Sequence, residues 1–582
     1  MFFKPRILLN YKLLKHIPIN KTVLRGAKTA KLKMNKAYVR HSPDGEFFDL
    51  NFALNGERIK RPFNFTRKVS ETVETLLTRV KTNVDKAANK KKKKKDEEPY
   101  SSSVSLMLNS TEVPKEELCE RVFVPNENLQ LSVNNEVFKI VINSPWVIAL
   151  KLPTSILAGF PTYPSTFETV YTEKDLSTFT WYSSKDKKNW EPVGNDFIYT
   201  PQNSDINHYL KFTCLPRGET SEGPIFEDIS TCKVEASPGE CPFETRHLFT
   251  KHKLVGDQFR VVSYNLLADL YCDSDFSRES LFPYCPHYAL SIDYRKQLFT
   301  KEIIGYNADI ICLQEVDKKI FKYDLNTALS HLGYSGQFDL KGGVVAEGLA
   351  FFYNTKRFIL LDSSSLVFAD HLQTEPVFRD IWERIKSNEK LSQRILGRTT
   401  TLQVNVVGSL EQDEILVVAN THLYFHPDSD HIRLLHGCLA IRYLEHFVKG
   451  VKERYEGKRV SLVFCGDFNS VPSCGIYQLY TRGLVPGDFI DYKSNQEETI
   501  QNIDMTQSFQ LDSACGTPKF TNYTVGFADC LDYIFYEKSN LEVSQVIPLP
   551  TEEVLKENTA IPSIVFPSDH IALISDLKWI RN

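Results

Sequence analysis

In the second half of the chain the apolar positions fall into short runs that each carry a polar side chain at or near the end. They are Phe259–Asn265, Ala308–Val316, Ile415–His422, Val460–Asp467 and Leu531–Phe535, the last with its acid, Asp532, near the start. Runs of this length, rich in Val, Ile, Leu and Phe, predict strands covered on both faces. Between them, Tyr294 to Ile304 and the series Leu434, Cys438, Ile441, Leu444 and Val448 repeat at helical spacing. Strands alternating with helices predict a layered α/β domain over residues 250–582.

The pattern before residue 250 is different. Residues 104–236 hold short apolar and aromatic runs separated by turn formers, which predicts a smaller, antiparallel β-rich accessory domain. Trp181 in a strand, Tyr199 ahead of a second strand and Cys214 within it follow the order seen in immunoglobulin-like sandwiches. Ser237–Pro242 reads as a linker. Residues 41–103 predict only a modest folded signal: a period-two stretch through Phe48, Leu50, Phe52 and Leu54, then a short amphipathic helix over Ser70–Val80. The Lys90–Lys95 run followed by Asp96–Glu98 reads as a solvated loop.

Residues 1–40 contain no acid, and Leu8, Leu9, Leu13 and Leu14 alternate with Lys and Arg. That pattern predicts a mitochondrial presequence and a matrix location, with a basic arm for RNA or acidic lipid as the alternative. At 582 residues the chain is too long for one core, so two or three folded units are expected. Its 12 cysteines show no zinc spacing and sit largely in apolar runs, which suits a reducing compartment. A net charge of −3 argues against a general nucleic-acid coat, and no apolar run approaches the length of a membrane span. No membrane and no stable protein partner are expected.

Within Val460–Ser470 the strand breaks at Gly466 and delivers Asp467 and Asn469, which an extended backbone aims at one point. Taken alone, this reads equally well as a strand-to-turn corner. The other strand ends shift the balance. Asn265, Glu315, Asp467 and Asn469 supply oxygen ligands for a hard divalent cation, while His422 and His570 suit phosphate binding or proton exchange. Asp532 and Asp569 are placed to orient a histidine or polarise water. Together these are the parts of a metal-assisted phosphodiesterase.

Tyr264-Asn265, Leu313-Gln314-Glu315, Asn420-Thr421-His422, Gly466-Asp467-Phe468-Asn469 and Ser568-Asp569-His570, in this order, resemble the endonuclease/exonuclease/phosphatase superfamily. Pro283–Pro286, Asp293–Lys296, Phe520–Thr524 and Leu531–Phe535 resemble its deadenylase branch. The resemblance implies a four-layer α/β sandwich with Mg²⁺ held by Glu315, Asp467 and Asn469 at one end. It implies Asp467 in proton transfer, Asn265 and His422 at water and phosphate, and His570 with Asp569 at the transition state. Pro427 and Phe527 match positions flanking an adenine base. The implied reaction is hydrolysis of 2′,5′- or 3′,5′-linked oligoadenylate or poly(A) RNA to AMP. The rivals are a cytosolic 3′,5′ deadenylase and a non-catalytic RNA-binding scaffold.

Overall fold

The computed structural model describes residues 30–31, 35–42, 44–56, 58–90, 99–126, 128–272, 274–500, 503 and 505–581. Most of the expected presequence and all but Lys90 of the lysine–acid run lie outside them. Two compact units are present, one within residues 1–152, 164–199 and 208–231, the other within 153–163, 200–207 and 232–582.

In the first unit, the described residues of 41–103 hold more regular structure than the sequence suggested. Strands Lys36–His41, Phe47–Asn55 and Lys60–Lys68 join Val104–Leu108, Thr111–Glu112, Leu129–Val133 and Glu136–Ile142 in one seven-stranded sheet. The link is a parallel pairing of Lys36–Val39 with Lys139–Ile142, about a hundred residues apart in sequence, which no local pattern reveals. Helix Val73–Asn89, capped by Thr72, buries Val73, Leu76, Leu77, Val80 and Val84 in this module's core. The strand Lys36–His41 crosses the expected presequence boundary at residue 40.

The remainder of the first unit is a five-stranded antiparallel sheet and a two-stranded one formed by Trp146–Lys151 and Thr166–Val170. Trp181 is fully buried, stacks on Tyr199 and meets Phe212 edge-on. Cys214 is buried as a free thiol and Phe179 stacks on Phe212, so the region is β-rich as expected, without the cystine of an antibody sandwich. Residues 153–163 and 200–207, expected within the β-rich domain, pack with the second unit: the Leu157 amide donates to Gln297 Oε1 at 2.8 Å.

The second unit is built on two six-stranded sheets. The first runs Tyr334–Leu340, Glu347–Asn354, Ile310–Asp317, Gln258–Asn265, Leu573–Trp579, Leu541–Val546. The second runs Phe358–Val367, Thr401–Ser409, Glu414–His422, Arg459–Asp467, Asp532–Glu537, Leu511–Ser513. Alternate residues divide between cores as the pleat requires. Val261, Ile310 and Cys312 meet Leu416, Val418, Val463 and Cys465 between the sheets. Val262, Ile311 and Leu313 face outward onto helix Ile292–Gly305 through Phe299 and Ile303. Val417, Ala419, Leu462 and Phe464 face outward onto helix Asp430–Arg454. Helix, sheet, sheet and helix make the expected four layers, and burial on both faces explains why the strands read as continuous apolar runs.

Gln258–Asn265 runs parallel to Ile310–Asp317, and Glu414–His422 parallel to Arg459–Asp467. Their C-terminal ends therefore gather at one edge of the sandwich, the position at which α/β sheets usually bind ligands.

Candidate active site

Register alone assembles half of the site. His422 is paired with Asp467, and Asp467 with Asp532, across three adjacent strands of the second sheet. All three continue the inward-facing series set by Val418, Val463 and Ile534. From the first sheet Asn265 follows Val261 at even spacing and faces the same way. His570 is bridged to Asn522 ahead of the strand Leu573–Trp579.

Glu315 needs a different device. By alternation it would follow Ile311 and Leu313 outward, and Gln314 would face inward. The pairing with Glu347–Asn354 slips between Leu313 and Val316, and Glu315 takes φ +54°. A bulge of this kind re-aims a side chain at the end of a strand. Glu315 Oε1 thereby meets Asn265 Nδ2 at 3.1 Å, and its Oε2 accepts the Ala268 amide at 2.9 Å. Asn469 also sits at φ +47°, and its Nδ2 donates to the Leu423 carbonyl at 2.9 Å, which directs Oδ1 to the opposite side. Left-handed backbone at two non-glycine residues is strain of the sort concentrated at functional sites.

The groups converge on Asp467. Its Oδ2 accepts from Asn265 Nδ2 at 3.0 Å and lies 3.5 Å from His422 Nε2 and 3.6 Å from His570 Nε2. Its Oδ1 accepts the Asn469 amide at 2.9 Å. His570 Nδ1 lies 2.8 Å from Asp532 Oδ2, which also accepts from Thr521 Oγ1 at 2.6 Å. Asp532, not its chain neighbour Asp569, thus orients the histidine. Asp569 stands beside the cluster, 3.4 Å from Asn522 Nδ2. Pro427 and Phe527 are solvent-exposed on loops, and the turn bearing Phe527 is closed by the Thr524 hydroxyl.

Burial and then Glu347 push the Glu315 carboxyl up to about 7. Burial and then Asp532 push Asp467 up to about 6, against the pull of His570. Carboxylates held out of water and crowded by other acids call for a further cation. Glu315 and Asp467, linked through Asn265 Nδ2, offer carboxylate oxygens of the kind a hard divalent ion takes, and Asn469 offers an amide oxygen two residues on from Asp467. A second grouping, Asp467, Asp532 and His570, also brings potential ligand atoms within 4.8 Å of one another. There Asp532 and His570 already satisfy each other, although Asp532 Oδ1 remains buried without a hydrogen bond. The residues present fit a divalent metal, and Asp467 belongs to both groupings.

The histidines differ. Burial, then the charges of Lys341 and His570, hold His422 well below the ordinary imidazole value. Burial alone would lower His570 too, but Asp532, Asp467 and Asp569 outweigh it and hold the imidazolium well above its ordinary range.

Three contributors were not singled out in the sequence. Lys341 Nζ lies 3.0 Å from His422 Nδ1 and 2.5 Å from Glu347 Oε1. Both follow the strand-end rule, since Lys341 comes just after Tyr334–Leu340 and Glu347 opens Glu347–Asn354. Arg295, fully buried, donates to the carbonyls of Leu266, Leu267, Leu290 and Pro567 and so fixes the loops around Asn265 and Ser568.

Comparison with known proteins shows the family. Residues 262–570 match the Endonuclease/Exonuclease/phosphatase family, and residues 144–235 match the 2′,5′-phosphodiesterase 12-like N-terminal domain. The chain is 37% identical to the 2′,5′-phosphodiesterase 12 of Homo sapiens, covering 95% of this chain and 96% of that one. It is 38% identical to that of Rattus norvegicus, with 94% of each covered. It is 29% identical to the CCR4-Not complex 3′-5′-exoribonuclease subunit Ccr4 of Mycosarcoma maydis over 56% of this chain and 51% of the other. By the motif match across its second unit and by identity along nearly its full length, the chain belongs to the endonuclease/exonuclease/phosphatase family, with the N-terminal domain of the 2′,5′-phosphodiesterase 12-like members.

Proposed function

We propose that this chain is a phosphodiesterase that hydrolyses 2′,5′-linked oligoadenylates and 3′,5′-linked poly(A) to AMP, with Mg²⁺ as its cofactor. Enzymes of the family are hydrolases that generally depend on a divalent metal. The 2′,5′ linkage follows the names of the full-length relatives, and the 3′,5′ linkage that of the Ccr4 subunit. The observation that carries the reading is the convergence of Asn265, His422 and His570 on Asp467 Oδ2 within 3.0–3.6 Å.

Glu315, Asp467 and Asn469 would hold the metal, which when bound supplies positive charge to the scissile phosphate and the departing oxygen. The chain's own groups do the rest. Asn265, already donating to both carboxylates, orients the attacking water beside Asp467. Asp467, the carboxylate on which Asn265 and both histidines converge, is placed to take the proton of that water. The imidazolium of His570, braced by Asp532, donates from Nε2 to a non-bridging phosphate oxygen as charge builds there. Exposed Phe527 and Pro427 supply faces for stacking an unpaired adenine. A scaffold without catalysis has no use for the paired buried carboxylates of Asp467 and Asp532.

Hydrolysis in ¹⁸O-labelled water tests this reading. Label should enter the 5′-phosphate of the released AMP and not its ribose. Release without label, or no release, would overturn it. A matrix location is supported by the acid-free, Leu/Lys-interleaved first forty residues. Fused to a fluorescent protein they should reach mitochondria, and a diffuse cytosolic signal would reject the assignment.

A further inference from the structure

We propose that Lys341, anchored by Glu347, holds the His422 ring through Nδ1 and so sets the tautomer with the proton on Nε2, aiming Nε2 as a hydrogen-bond donor to the phosphate. The inference deepens the phosphodiesterase reading and rests on it for the identity of the acceptor.

Donor accounting carries the argument. An ammonium has three donors and no acceptor. Lys341 Nζ lies 3.0 Å from His422 Nδ1, so Nδ1 must present its lone pair and the single ring proton must sit on Nε2. On the other side, Nε2 lies 3.5 Å from Asp467 Oδ2 and 3.8 Å from Glu315 Oε1, both acceptors. The lysine cannot swing away cheaply. Its Nζ lies 2.5 Å from Glu347 Oε1, whose side chain is 0% exposed, and Tyr271 donates to the same oxygen at 3.3 Å. The Lys341 amide donates to the Glu347 carbonyl at 3.2 Å. Gly348 lets the strands close behind the pair, since a Cβ there would come within 2.1 Å of the Asp339 carbonyl oxygen.

His570 is wired the opposite way. Its Nδ1 points at a carboxylate and is the donor, while His422 Nδ1 points at an ammonium and is the acceptor. The two histidines that look equivalent in sequence are thus assigned separate tasks, and Lys341 is a positioning residue for one of them.

Histidine-selective ¹⁵N labelling, with His422→Gln for assignment, reads the tautomer directly in the full-length protein with and without Mg²⁺. Wild type should show His422 with Nδ1 unprotonated and Nε2 protonated; a protonated Nδ1 overturns the proposal. That readout needs no turnover, so it stands apart from any failure of the substrate assignment. Kinetically, Lys341→Met should lower kcat on triadenylate about 10- to 100-fold, with KM changed less than about threefold, the size of losing one oriented hydrogen bond to a charged group. Lys341→Arg, also donor-only, should recover most of that loss. Lys341→Met with Glu347→Gln removes the stranded buried acid and separates catalytic loss from misfolding, and should keep the low kcat. Unchanged kcat in either Met variant, or a loss confined to KM, would refute the positioning role.

Discussion

Replacing Asp532 with Asn keeps the shape of the His570 brace and removes its charge. Asp532 is 2% exposed and its Oδ2 takes hydrogen bonds from both His570 and Thr521, so an amide oxygen can accept in the same place. What changes is a charge-assisted bond, worth about 1.5–3 kcal/mol against about 1 for a neutral one. If that difference, about 0.5–2 kcal/mol, acts at the transition state, kcat falls about 2- to 30-fold. The pH profile should move as well. Burial lowers the His570 pKa, and Asp532 is the largest of the influences that reverse it. A pKa raised in this way keeps the imidazolium, and activity that needs it, until the pH climbs through the raised value. In Asp532→Asn that alkaline limb should shift to lower pH. The assay is AMP release from triadenylate at saturating Mg²⁺ across the neutral to alkaline range. A variant with reduced kcat but an unmoved alkaline limb would show that His570 does not act as the imidazolium.

Glu315→Ala should abolish Mg²⁺-dependent turnover while circular dichroism stays native, and near-normal activity would sink the metal assignment. Without metal, stability should fall as pH rises from the ordinary carboxyl values, 4.5 for Glu315 and 3.8 for Asp467, through their folded values of about 7 and about 6. In that window the folded state holds more protons than the unfolded one. Mg²⁺ at a hundredfold excess over its Kd should restore about 2.7 kcal/mol. Thermal melts at pH 5 and 7.5, with Mg²⁺ and with chelator, check this, and a metal-free protein more stable at the higher pH would contradict it. Phe527→Ala should raise KM for oligoadenylate about 5- to 100-fold, the value of one stacked base, with kcat less affected. An unchanged KM would remove Phe527 from the binding face.

Much of the second unit was readable because its strands are buried on both faces and end in side chains of one chemistry. Asn265, His422 and Asp467 could be placed by alternation alone, since they continue inward-facing series that the apolar residues define. Glu315 could not, because only a register slip and a positive φ bring it to the site. The choice of Asp532 over Asp569 as the partner of His570 depends on the pairing of Asp467 with Asp532, a contact 65 residues apart on antiparallel strands. Lys341 and Glu347 were passed over because these residue types usually belong to the surface. The seven-stranded sheet of the first unit was understated for a similar reason: its joining pair is parallel and remote in sequence.

The central claim is that these strand ends form one metal-dependent hydrolytic site for adenylate phosphodiesters. Incubation of the pure, full-length protein with 2′,5′- and 3′,5′-linked triadenylate, with Mg²⁺ or with chelator, followed by chromatography of the products, tests it most directly. The account predicts stepwise release of AMP in Mg²⁺ and none in chelator; no AMP from either linkage would contradict it and leave the scaffold reading in its place.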